Sequence, residues 1–209
     1  MYTPAAFLEV RPEVIARFLV EHPMAQLVAM TADGLVATPL PMLFEQTDDG
    51  LGSLVGHVAR ANRQWVEAIT AVEALAIFTG ANAYISPSWY PAKREHGKVV
   101  PTWNYETVHV RGHLVVHDDV EWKRALVTRL TVRHESQLAA PWAVGDAPAD
   151  YIETMLNAIV GVEVQITRIL AKRKLSQNRS SEDAAGVIDG LTERGDESSA
   201  DVAGAMQSR

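Results

Sequence analysis

The sequence predicts a β-barrel-centred α+β domain. Two observations carry this reading. Several short apolar, β-branched runs are joined by turn residues, and the helical stretches are inserted among them without the regular alternation of βαβ units. A third observation sets the scale: 209 residues with a hydrophobic fraction of 47% supply a full core.

Each element follows in chain order. Residues 12–21 read as an amphipathic helix, with Pro12 in the first turn and Val14, Ile15, Phe18 and Leu19 on the apolar face; Pro23 ends it. Residues 24–30 form a buried strand, and Asp33-Gly34 is a hairpin turn signal. A second strand covers 35–45, where Pro39 and Pro41 demand an edge position or a bulge. Asp48-Asp49-Gly50 marks another turn before a third strand at 51–58. A helix near 62–69 and a strand at 74–78 come next. After an aromatic loop, 105–117 forms a long strand carrying Val108, Val110, Leu114 and Val116. Asp118 or Asp119 caps a helix running through Leu130. Residues 133–148 read as loop, 150–159 as helix, 161–170 as a strand with Val162, Val164 and Ile166 alternating, and 183–191 as a short helix. From Thr192 onward Gly, Ser, Asp and Glu dominate, so the division expected is a domain at 1–191 and a flexible polar tail at 192–209.

Composition excludes several classes. Cysteine is absent, which removes disulfides, thiolate nucleophiles and cysteine-ligated metals. No apolar run reaches membrane-spanning length, and Met1-Tyr-Thr-Pro lacks the basic and apolar regions of a signal peptide, so a cytoplasmic protein is expected. The net charge of -7 argues against strong non-specific DNA binding, although Ala171-Lys-Arg-Lys174 with Arg179 makes a local basic patch.

The densest chemical signal is Tyr84-Ile-Ser-Pro-Ser-Trp-Tyr-Pro-Ala-Lys93 followed by Val100-Pro-Thr-Trp-Asn-Tyr105. Aromatics mixed with hydroxyls, an amide and a lysine suit a site that stacks a flat ring and holds a polar tail. The same composition also suits a barrel end or a dimer interface. His109, His113 and His117 recur every four residues, but on a strand neighbours lie roughly 13 Å apart. That is too far for one metal, whose ligand nitrogens sit at about 2 Å, so surface or interface roles are expected. His57, at a strand-to-helix junction, is equally a structural hydrogen-bonding residue or part of a ligand site. Asp48-Asp49 and Asp118-Asp119 read as solvated turns and caps. Phosphate-binding Gly-rich motifs and a hydrolase nucleophile context are absent. The run Lys172-Arg-Lys-Leu-Ser-Gln-Asn-Arg-Ser180 reads, on spacing alone, as an exposed basic linker rather than a phosphate clamp.

Four segments together carry a family resemblance. They are Gly56-His57 with Ala59-Arg60-Ala61-Asn62 and Trp65; Tyr84 to Pro91 with Lys93; Val100 to Tyr105 with Val108-His109 and Gly112; and Ala158-Ile-Val-Gly161 followed by Lys174-Leu-Ser-Gln-Asn-Arg179. The chain from its N-terminus to about Leu191 resembles the PaiB-type FMN-binding negative transcriptional regulators. The resemblance implies the FMN-binding split β-barrel, the fold of pyridoxamine phosphate oxidases and flavin reductases. It also implies a homodimer with flavin at the subunit interface. The isoalloxazine ring would then lie near Trp89, Tyr90, Trp103 and Asn104. Phosphate and ribityl groups would use some of Arg60, Ser88, Lys93, Thr102, Lys174, Ser176, Gln177, Asn178 and Arg179. Repression of transcription is implied as well, but no helix-turn-helix pattern is present and the charge has the wrong sign for direct DNA contact. An indirect, flavin-linked mechanism is therefore expected. Two alternatives share the barrel: a flavin-dependent oxidoreductase, and a haem-binding or haem-degrading protein with His57 or His109 as ligand.

Overall fold

The computed structural model describes residues 1–47 and 50–209, so Asp48 and Asp49 of the expected turn lie outside the described residues. The elements run β1 (Leu8–Glu9), α1 (Pro12–Glu21), β2 (Met24–Thr31), β3 (Gly34–Pro41), β4 (Leu43–Glu45), β5 (Ser53–Ala59), α2 (Gln64–Glu67), β6 (Ala74–Ile85), α3 (Ala92–Glu95), β7 (Thr102–His117), α4 (Val120–Glu135), α5 (Ala149–Asn157), β8 (Ile159–Lys174), α6 (Ser181–Arg194) and α7 (Glu197–Gln207). The strands hydrogen-bond in the order β3-β2-β6-β7-β8-β5-β4, with β1 paired to β8.

The chain divides into two compact units. The first comprises Met1–Phe18, Thr79–Val108 and Leu170–Arg209, and the second Leu19–Phe78 and His109–Ile169.

In the second unit, β2 and β3 form the predicted hairpin, with Thr31 opposite Gly34. Gly34 has φ 115°, a conformation that an L side chain rarely adopts, which explains glycine at the turn. Pro39 and Pro41 sit on β3, at the end of the strand order, where a missing N–H breaks no outer ladder. The single strand expected at 35–45 is interrupted at Met42, whose N–H turns to the carbonyl of Pro23 at 2.9 Å. β5 pairs antiparallel with β8 from Ser53↔Gln165 to Ala59↔Ile159. Helix α4 covers β5 through Leu126 and Leu130 packed on Val55, with Leu43 and Trp122 at the margin. Asp119 is its cap, accepting the Trp122 N–H at 2.8 Å.

In the first unit, β1 pairs with the end of β8, Leu8 opposite Lys172 and Glu9 opposite Ala171. The core joins Ala83, Ile85 and Tyr90 to Leu175, Val187, Leu191, Val202 and Met206. Three expectations are corrected here. The strand at 74–78 continues to Ile85, because Ala81, Ala83 and Ile85 alternate inward. The run Lys172 to Lys174 is not a linker but the last turn-free stretch of β8. Residues 197–207 are not a flexible tail but helix α7. Asp196 caps it by accepting the Ser199 N–H at 3.0 Å. Ser199, Val202, Ala203 and Met206 fall at i, i+3, i+4 and i+7 and are buried.

Candidate functional site

β8 ends in a charge pattern that its strand geometry sorts by face. Lys172 and Lys174 lie on one side and Arg173 on the other. Arg173 is neutralised: its Nε donates to Glu106 at 2.5 Å, and its Nη1 lies 3.8 Å from Glu9. The lysine face is different. Lys172 Nζ bonds the carbonyl of Tyr2 at 3.2 Å and stands 5.0 Å from the Tyr105 ring centroid. Lys174 Nζ donates to the Thr102 hydroxyl and to the Trp103 carbonyl, the latter at 2.5 Å, and stands 5.9 Å from the same ring. Arg179 lies 4.7 Å over the ring of Tyr90. Among the described residues none of these three cations has a carboxylate within 4.0 Å. Burial, then Lys172 and Arg179, push the Lys174 ammonium below its ordinary value. A half-buried lysine bonded only to neutral oxygens and flanked by cations is relieved by an anion.

An aromatic surface adjoins this cluster through Thr102 and Trp103. Trp103 is 53% exposed, and Tyr84 meets it edge-on with centroids 6.4 Å apart. Exposed indole and phenol beside unpaired cations suit a planar ring with a phosphorylated tail. The donor set therefore fits a flavin mononucleotide.

The other expected site residues take varied places. Tyr90 and Asn104, expected beside a flavin ring, are buried at 1% exposure. Tyr90 belongs to the core of the first unit. Asn104 Nδ2 donates to Ser176 Oγ at 2.9 Å, and Ser176 holds φ 63° in a buried turn after β8. These groups fix the turn that carries Gln177 to Arg179. Gln177 braces the same turn, accepting the Leu175 N–H at 2.7 Å and donating to the Arg173 carbonyl at 2.6 Å. Asn178 is exposed. Trp89 is half-buried against α6. Ser88 and Lys93 are exposed and bonded to each other at 3.0 Å.

Arg60 belongs to the second unit. Its guanidinium is committed to both oxygens of Asp118, to the Asn157 carbonyl at 2.7 Å and to the Ile159 carbonyl at 3.2 Å. Asp118 also takes Lys123 at 2.9 Å, and Arg60 with Lys123 holds its carboxyl well below the usual range. The motif around Arg60 is thus a buttress. Asn62 Oδ1 accepts the Gln64 N–H at 2.9 Å, and buried Gln64 donates to the Leu27 and Val36 carbonyls at 2.9 and 3.2 Å.

The histidines on β7 form no metal cluster; among the described residues no group of metal-binding side chains is found. His117 bonds Glu163 at 2.7 Å and stacks on Trp122 at 4.0 Å. His57 Nδ1 is buried without a hydrogen-bond partner among the described residues, and burial lowers its basicity. Sequence reasoning placed Lys172 in the basic patch and Tyr84 and Tyr105 in the aromatic strip, but did not carry them into the set of flavin-contacting residues. The available signal was the two-residue spacing of Lys172 and Lys174.

The chain is similar to known proteins in sequence and in fold. The family model described as "Putative FMN-binding domain" matches residues 1–168. The chain is 34% identical over 191 residues to protease synthase and sporulation protein PAI 2 of Bacillus subtilis, covering 91% of this chain and 89% of that one. Among solved structures, an FAD and haem binding protein from Mycobacterium smegmatis superposes with a TM-score of 0.58 at 17% identity, covering 85% of this chain and 78% of that chain. The flavocytochrome Anf3 from Azotobacter vinelandii gives a TM-score of 0.55 at 15% identity, covering 86% and 75%. With the antiparallel sheet and peripheral helices, these likenesses assign the split β-barrel fold. The chain therefore belongs to the FMN-binding domain family, the PaiB-type family that its motifs resemble.

Proposed function

We propose that this protein is a homodimeric FMN-binding regulator that senses through its flavin rather than through direct DNA contact. The observation that carries this reading is the cation cluster of Lys172, Lys174 and Arg179, free of carboxylates among the described residues and set beside exposed Trp103. Lys174 with Arg179 holds the phosphate, and the Thr102 hydroxyl keeps the Lys174 ammonium aimed. Trp103 and Tyr84 cover the ring and exclude water from it. FMN, when bound, supplies one- and two-electron redox chemistry. Exposed Trp103, Tyr84 and Val100 support an interfacial setting, since such aromatics are enriched where subunits meet. The net charge of -7 supports an indirect route to transcription.

Absorbance spectra before and after adding FMN test the reading. Flavin bands that shift on binding, with a dissociation constant weakened by Lys174→Ala for FMN more than for riboflavin, are expected. Equal weakening of both ligands removes the phosphate role, and no saturable binding removes the flavin. Steady NAD(P)H consumption with FMN would transfer the function to an oxidoreductase.

A second reading, haem binding, is favoured by the unpartnered Nδ1 of His57, whose lowered basicity keeps a neutral imidazole available for a metal. Solved relatives in fold include a flavocytochrome and an FAD and haem binding protein. A Soret band on haem titration that disappears in His57→Ala supports it; no band dismisses it.

A further inference from the structure

Beside the end of β8 and β1 lies a cavity of about 550 Å³. This is within the size range of small-molecule sites. Its walls mix an apolar strip, Phe7, Leu8 and Val10, with the guanidinium groups of Arg11, Arg173 and Arg209. Glu9 also lines it.

Arg173 is 9% exposed, its Nε is taken by Glu106, its Nη2 donates to the Ala205 carbonyl at 3.5 Å, and its Nη1 lies 3.8 Å from Glu9, beyond hydrogen-bond reach. Arg209 uses one Nη1 bond, to the Leu175 carbonyl at 2.5 Å, and has no carboxylate within 4.0 Å among the described residues. Arg11 binds Glu9 through Nε at 2.9 Å and Nη2 at 2.6 Å, leaving its Nη1. Arg11 and Arg173 are thus each paired with a side-chain carboxylate, Glu9 and Glu106, whereas the Arg209 guanidinium has none among the described residues. Guanidinium forks match the two oxygens of a carboxylate.

We infer that the cavity binds an amphiphilic monocarboxylate, its head on Arg209 and Arg173 and its apolar body along Phe7, Leu8 and Val10. The site is separate from the flavin face, because its lining includes none of Thr102, Trp103, Lys172, Lys174 or Arg179. Both sites nevertheless draw on one strand and on the turn braced by Gln177, which also lines the cavity.

Isothermal titration of the full-length protein with sodium octanoate tests this, with octan-1-ol as the uncharged control. Saturable octanoate binding in the millimolar range or tighter is expected, with octan-1-ol weaker by about ten-fold, the value of one charge-assisted bond. Arg209→Gln lowers octanoate affinity by about ten-fold or more. Val10 is 69% exposed, so Val10→Asp leaves folding intact while setting a charge against the apolar body and weakening binding. Lys174→Ala leaves octanoate affinity unchanged. Absence of saturable binding, insensitivity to both Arg209→Gln and Val10→Asp, or loss on Lys174→Ala would each overturn the assignment. None of these outcomes depends on whether FMN binds.

Discussion

The indole of Trp89 occupies the space above Gly190: a Cβ built on Gly190 would lie 2.4 Å from Cγ and Cδ2 of the ring. One turn earlier, a Cβ on Gly186 would meet the Trp89 carbonyl at 2.2 Å. Helix α6 therefore presents a bare stripe to the segment Pro87–Trp89, and that stripe fixes the aromatic loop. Gly190→Ala should force Trp89 off its seat at a cost of about 1–3 kcal/mol. Chemical denaturation followed by tryptophan emission checks it. An unchanged midpoint would mean that the indole swings aside freely.

The pattern-rich half of this arrangement was legible in the sequence. Pro12 and the apolar face at Val14, Ile15, Phe18 and Leu19 give α1 over the predicted span, and Asp33-Gly34 gives the β2–β3 hairpin. Helix α7 was hidden by its small residues: Ala203 and Ser199 contribute little hydrophobicity, although their spacing with Val202 and Met206 is helical. Residues 79–85 of β6 were hidden similarly, since Gly80, Ala81 and Asn82 carry weak β signals and pair only through tertiary context. The site was legible as a neighbourhood but not as a set of roles. Trp103 and Tyr90 belong to one motif, yet one is exposed and the other buried, because Tyr90 faces α6. Arg60 has the chemistry of a phosphate ligand, and only the structure shows it spent on Asp118.

That commitment separates Arg60 from Lys174 by experiment. Arg60→Ala leaves Asp118 with Lys123 alone and removes the donor to the Asn157 carbonyl, so thermal stability should fall. FMN affinity measured below the new melting point should stay within about two-fold, because the guanidinium has no unused pair to offer. A selective loss for FMN over riboflavin would place Arg60 at the phosphate instead.

Trp103 has the opposite profile. It is half-exposed, and its carbonyl rather than its indole holds Lys174, so Trp103→Ala keeps the backbone bond and removes only the ring. Stability should change little, and flavin affinity should fall by about three- to ten-fold, the worth of an aromatic pair. Riboflavin and FMN should lose equally, since both share the ring. Fluorescence quenching titrations read both constants.

The lowered basicity of Lys174 predicts a pH signature for FMN. Burial first, then Lys172 and Arg179, bring its folded value below 10.5. A bound phosphate favours the ammonium, so affinity is greatest below the value in the free protein and falls as pH rises through it. Titrations between pH 7 and 10 should therefore show FMN weakening in the wild type, with that component absent in Lys174→Gln. Riboflavin controls for titration of the ring itself. Parallel slopes in the two proteins would exclude Lys174 as the titrating group.

Acid stability should depend on Glu9. Its carboxyl is lowered from 4.5 to about 2, chiefly by the Arg11 side chain, which binds both oxygens. A carboxyl depressed on folding contributes stability that is complete above the unfolded value near 4.5. That contribution is lost as pH falls towards about 2. Denaturant midpoints at pH 5, 3.5 and 2.5 should therefore converge between wild type and Glu9→Gln, with the wild type ahead only at the upper end. The contribution of Asp118, also depressed, is common to both proteins and cancels in the difference. A gap that stays constant down to pH 2.5 would show that Glu9 acts by packing, as its burial against Arg173 and Glu106 would then require, and not by its charge.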